Sequence, residues 1–129
     1  LPVSIEELES VEREASTLGP DALARFLYDH LGPRITAYLS GVADPRVVRR
    51  WLDASVEPEQ KSRIRLQYAY QAARMLIAAY DDRTAQNWFF GTNRRLDDEA
   101  PAFILRHGET PDDLRLVVPA ARAFAGAAD

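Results

Sequence analysis

An all-α fold follows from three features of the sequence. Apolar residues recur at helical spacing, Pro, Gly and Asp punctuate those stretches at helix-boundary positions, and no segment shows period-2 alternation. In order, Ser4 with Glu7 reads as a cap, and Ile5, Leu8, Val11 and Ala15 line one face of a helix that Gly19-Pro20 closes. Pro20 or Asp21 opens a second, with Leu23, Phe26, Leu27 and Leu31 on one side and Gly32-Pro33 at its end. Arg34 to Leu39 forms a short helix stopped by Ser40-Gly41. Asp44-Pro45 pairs a cap with proline at the first helical position, and that helix extends to the region of Asp53. The longest helix starts near Glu57-Pro58 and meets no breaker until Tyr80. Asp82 to Phe90 is stopped by Gly91, and Pro101 to Arg106 precedes Gly108. Pro111-Asp112 starts the final helical stretch. Pro119 inside it leaves two readings, a kink or a short turn at 111–116 before a separate helix from Pro119. The Ala-rich end reads as frayed.

The chain has 129 residues, 16 Lys plus Arg, 20 Asp plus Glu, a net charge of −4 and no cysteine. That length fits one domain, or one core with a small appendage. Without cysteine there is no disulfide framework, thiolate zinc site or thiol nucleophile, so a reducing compartment is permitted. No run of about 18 apolar residues offers a membrane span. Leu1 is not a natural start, so the N-terminus reads as trimmed, and a removed targeting segment stays open. Together these give the expectation of a cytoplasmic protein.

The total charge averages over unlike parts. Residues 1–33 carry seven acids and two arginines, whereas residues 44–74 carry seven bases and four acids. The chain therefore divides into an acidic N-terminal helical hairpin (1–33), a middle region (34–66) and a helical C-terminal part (67–129). Fifteen of the 16 bases are Arg, which a GC-rich genome also produces.

Residues 34–53 have the form of a helix–turn–helix: two short helices around a turn containing Gly41. Ile35, Leu39, Val42, Val48 and Leu52 would make the shared core, and Ala37 permits close approach. The second helix would present Arg46, Arg49 and Arg50 to a major groove, where a guanidinium fork grips guanine or phosphate. Lys61, Arg63 and Arg65 could add phosphate contacts. The same charges also read as a solvated arginine face, and Trp51 as a packing residue. The long helix carries apolar residues on more than one side, which a second copy could cover. Symmetric dimers also suit two half-sites, so a homodimer is expected.

The stretch 68–108 is richer in large apolar groups. Adjacent residues Trp88, Phe89 and Phe90 cannot all face one core, so at least one should lie on another surface as a candidate partner contact. Ala85, Trp88 and Phe89, then Asn93, Leu96, Pro101, Ile104, Leu105 and Gly108, form an ordered set, with Arg50-Trp51 and Pro58 upstream. In this the sequence resembles the Xre/MbcA/ParS-like antitoxins over roughly residues 34–126. Thr92 stands where that family usually has proline, and Asp97-Asp98 replaces a small or Gly-containing turn. The N-terminal hairpin matches no part of the motif.

The resemblance implies a binding protein. It would neutralise a RES-domain, NAD-consuming toxin by covering the toxin's active site with its C-terminal part, and would bind its own promoter DNA through the helix–turn–helix. Trp88, Asn93, Leu96 and Pro101 would be scaffold. The toxin-facing set would be Trp88, Phe89, Arg115, Arg122 and Phe124. The alternative is a stand-alone helix–turn–helix regulator without a toxin.

An enzyme has no positive signal. The only histidines, His30 and His107, sit near helix ends. The Asp pairs at 81–82, 97–98 and 112–113 sit at turns or helix starts, as capping residues do. No Gly-rich phosphate loop, EF-hand or His-x-x-x-His pair occurs, so neither cofactor nor metal is expected.

Overall fold

The computed structural model describes residues 3–128 and is all-α; Leu1, with the reading of a trimmed N-terminus, lies outside the described residues. The helices are α1 (Ile5–Ser16), α2 (Pro20–Leu31), α3 (Pro33–Ser40), α4 (Pro45–Leu52), α5 (Gln60–Ala79), α6 (Asp82–Phe90), α7 (Pro101–His107), α8 (Pro111–Arg115) and α9 (Val117–Gly126). A 3-10 turn, Arg94–Leu96, joins α6 to α7, and no strand occurs among the described residues beyond one isolated bridge, Asn93 to Glu99.

The boundaries follow the local chemistry. Ser4 Oγ accepts from Glu7 N at 3.0 Å at the start of α1. Proline occupies the first turn of α2, α3, α4, α7 and α8, where its missing N–H leaves no hydrogen bond unmade. The last stretch takes the second of its two readings, a short α8 and then a separate helix, which begins at Val117. Proline lacks the N–H that would bond to the Arg115 carbonyl, and its ring crowds that group. The helix therefore breaks at Leu116 and restarts with Pro119 in its first turn. Helix α5 starts at Gln60, later than Glu57-Pro58, with Pro58 itself buried in the approach.

Helix α5 is the axis of the molecule. Its small residues Ala69, Ala72 and Ala73 are fully buried and let neighbours approach closely, while Leu66, Met75 and Leu76 fill the space between. Helix α9 packs most extensively on it, with α1, α2, α3, α6, α7 and α8 around the remaining sides. The apolar surface that the long helix shows on several sides is thus covered by the chain's own helices. The acidic N-terminal hairpin belongs to the same core through Leu8, Val11, Leu23 and Leu27. Tyr70 Oη donates to Glu14 at 2.6 Å and Gln67 Nε2 to the Ala15 carbonyl at 3.1 Å, which fix α1 along α5.

Candidate functional site

The candidate residues fall on two surfaces, the arginine face of α4 and the outer side of the C-terminal helices. Helices α3 and α4 form a tight pair whose turn depends on Gly41 at φ +83°, in the left-handed region. A β-carbon there would also meet the Arg65 side chain at 3.2 Å. Leu39 and Val48 are fully buried between the helices, Ile35, Val42 and Leu52 partly so, and Trp51 is a core residue. Asp44 caps α4 by accepting from Arg46 N at 2.9 Å.

Arg46, Arg49 and Arg50 line one cleft of about 550 Å³, together with Pro33, Pro45 and Asp53. Their states differ. Arg46 Nη2 lies 2.8 Å from Asp44 Oδ2, and this pairing holds the Asp44 carboxyl below its usual range and strengthens the protonated form of Arg46. Arg49 Nη2 donates to Tyr28 Oη at 3.0 Å. Arg50 is exposed, and its side chain has no hydrogen bond or ion pair among the described residues. The other two basic candidates are not in this cleft. Lys61 lies in a separate groove beside Val47 and Trp51. Arg63 folds back onto Glu57, at 3.5 Å, and donates to the Pro58 carbonyl at 3.3 Å.

Arg65 takes a structural place. Its Nε donates to the Leu105 carbonyl at 2.6 Å and its Nη2 to those of Gly108 and Arg106 at 3.0 and 3.3 Å, capping the end of α7. Arg106 in turn donates from Nη1 to the carbonyls of Tyr38 and Val42 at 3.1 and 3.3 Å and lies over the Tyr38 ring. Burial, with Arg106 nearby, pushes the Arg65 pKa down. These two arginines join the α3–α4 turn to the C-terminal helices, and helical periodicity gives no sign of it.

In the C-terminal part, Phe89 is 0% exposed and belongs to the core, so as a partner contact it is corrected: the exposed member of the triplet is Phe90, at 48%. Trp88 keeps 8% exposure, and its buried Nε1 has no protein partner. Trp88 and Phe124 line one groove of about 350 Å³, with Arg94 and Arg95 at its edge. Phe124 packs against Tyr80 with the rings tilted and their centroids 5.2 Å apart. Arg122 is directed elsewhere: Nη2 meets Glu12 at 2.6 Å and ties α9 to α1. Arg115 is exposed and pairs with Asp112 at 3.0 Å.

The ordered motif residues hold the backbone. Ala85, Leu96, Pro101 and Leu105 are buried, and Asn93 caps the 3-10 turn through Arg95 N at 3.0 Å. A β-carbon on Gly108 would stand 2.7 Å from both the Ile104 carbonyl and Leu114. Asp81 caps α6 through Thr84 N at 2.8 Å, which lowers its pKa, and Asp113 completes a capping box with Thr110. Asp97 and Asp98 depart from that pattern: both take left-handed backbone, φ 55° and 66°. His30 Nδ1 lies 2.8 Å from Asp82, but among the described residues no hydroxyl is hydrogen-bonded to the ring, so none completes a triad there. No cluster of three or more metal-ligating side chains occurs among the described residues. No described helix is long and apolar enough to cross a membrane.

Over 75 residues the chain is 33% identical to proteins named mycobacterial cidal antitoxin MbcA, from Mycobacterium bovis and Mycobacterium tuberculosis. This chain is related to an antitoxin. The aligned stretch is 58% of this chain and 66% of the relatives' length, so it spans just under two thirds of each of them. No family model matches the chain, and no solved structure matches it.

Proposed function

We propose that the protein is a non-enzymatic antitoxin that binds and neutralises a protein toxin through its C-terminal helices, the toxin being of the RES-domain, NAD-consuming kind. The observation that carries this reading is where apolar surface is left uncovered. Of seven exposed large hydrophobic side chains among the described residues, five lie from Tyr80 onward: Tyr80, Phe90, Phe103, Leu116 and Phe124. Tyr80 lies beside Phe124, and Phe103 shares a groove with Leu116, and paired exposed apolar groups of this kind support a docking role. The similarity to mycobacterial antitoxins supports the same reading. Residues 67–129 would be the toxin-binding part, with Trp88, Phe124 and Arg115 as contacts and the 1–33 hairpin as a brace. The protein would act in the cytoplasm. The test is co-expression with the product of the adjacent gene: growth arrest by that product alone should be relieved, and the two should co-purify. Unrelieved arrest contradicts the reading.

The arginine cleft supports a second activity, autoregulation through residues 34–66 acting as a helix–turn–helix. Arg46, Arg49 and Arg50 would meet promoter DNA, with Lys61 and Arg63 at phosphates beyond the cleft, and two half-sites would engage a homodimer. A gel shift on the DNA upstream of the gene should show salt-sensitive, sequence-specific binding that Arg49→Ala and Arg50→Ala weaken. Absence of binding at low salt contradicts it. If DNA is bound but no toxin is neutralised, the protein is a stand-alone regulator.

A further inference from the structure

Two of the exposed apolar side chains share a groove. Phe103 on α7 is 46% exposed and Leu116, at the break between α8 and α9, is 54% exposed. They line a groove of about 520 Å³ with Leu96 and Ile104. Covalent geometry places both there. Pro119 forces the break that leaves Leu116 on a corner. Helix α7, started by Pro101, buries Ala102 and Leu105 and so turns Phe103 outward.

The charges on the rim select among occupants. Asp97, Glu99 and Asp113 line the groove, with Arg95 as the cationic side chain beside them and His107 at the same rim. Asp113 is committed to its capping box, while Asp97 and Glu99 have no ion pair among the described residues. Asp97 also holds its carboxylate on left-handed backbone, φ 55°, a conformation that costs an L-residue energy. Nucleic acid and anionic lipid would be repelled by such a rim. A second copy of this chain, meeting it about a two-fold axis centred on the groove, would set two net-acidic rims against each other.

We propose that this groove is the anchor site for the toxin, and that it accepts an apolar side chain of the toxin flanked by Lys or Arg. The proposal rests on the antitoxin reading and sharpens it: the anchor is the α7–α8 corner, with Phe103 and Leu116 as the apolar contacts and Asp97 and Glu99 as the charged ones.

The test measures affinity of the full chain for the purified adjacent-gene product. Phe103→Glu and Leu116→Glu, both at exposed positions and checked for unchanged thermal unfolding, should each weaken binding by about tenfold or more. The double variant Asp97→Asn with Glu99→Gln keeps a residue tolerant of left-handed backbone at position 97. It should bind about fivefold more weakly at low salt, and the difference should shrink at about 0.5 M salt. Ile5→Glu, an exposed apolar position on α1, should bind as wild type. If wild type binds but Phe103→Glu and Leu116→Glu stay within about twofold of it, the anchor assignment is overturned while the antitoxin reading stands. A wild-type dimer that Leu116→Glu converts to monomer makes the groove a self-interface and also overturns it. No binding by wild type removes the antitoxin reading itself.

Discussion

Replacing Arg65 with Met keeps the aliphatic stem and removes the guanidinium that caps α7. The lost bonds are to the carbonyls of Leu105 at 2.6 Å, Gly108 at 3.0 Å and Arg106 at 3.3 Å, plus Lys61 one turn back at 3.2 Å. A hydrogen bond from a charged donor contributes roughly 1.5–3 kcal/mol, and two of these have good length. Three effects reduce the loss. The half-buried charge no longer has to be desolvated, its repulsion with Arg106 disappears, and water can reach the carbonyls through the adjoining clefts. A net destabilisation of about 2 kcal/mol remains, or about 8 °C in Tm for a chain of this size. Urea and thermal melts followed by helical circular dichroism read it directly. Arg65→Lys should recover less than half, because an ammonium cannot serve several carbonyls in a fork. A change below about 0.5 kcal/mol for Arg65→Met would refute the claim that this side chain holds α7 to α5.

Two further outcomes follow from the core. Tyr70→Phe removes the donor to Glu14 and should cost about 1 kcal/mol at neutral pH, a modest value because Glu14 is half in solvent. Burial, then Glu14, pushes the Tyr70 pKa up to about 12, against an ordinary value of 10.0. A raised folded pKa means that the contribution is complete below about pH 10 and is lost as pH rises towards 12. The gap between wild type and Tyr70→Phe in urea should therefore narrow across that window, and a gap that widens contradicts the assignment. Phe89→Ala should destabilise by about 3–5 kcal/mol, whereas Phe90→Ala at its exposed neighbour should stay within about 1 kcal/mol. Equal effects in urea melts would mean the triplet is oriented differently.

Much of the helical order is legible because helix ends are written in local chemistry. Ser4, Asp44 and Asp81 act as caps, prolines stand at first turns, and Gly32 and Gly41 take positive φ beyond helix ends. What escapes a sequence reading depends on distant partners. Arg65 looks like the wet side of a long helix, yet its carbonyl acceptors lie some 40 residues away. Arg122 looks like part of a partner surface, yet its carboxylate is on α1, 110 residues earlier. The aromatic triplet shows that one ring must face away, but which one depends on how α6 packs against α5 and α7. The Asp97-Asp98 turn carries no Gly to mark its left-handed backbone, and Leu116 is exposed through the action of Pro119 three residues on. Tertiary packing thus decides the anchor corner, while local signals decide the helices that frame it.

The proposed neutralisation of an NAD-consuming partner by the C-terminal helices has a direct cellular readout. The most direct measurement is cellular NAD in a host expressing the adjacent gene with and without this chain. NAD should fall when the neighbour is expressed alone, stay at the control level with the wild-type chain, and fall again with Leu116→Glu. NAD that falls equally with and without the wild-type chain would contradict it.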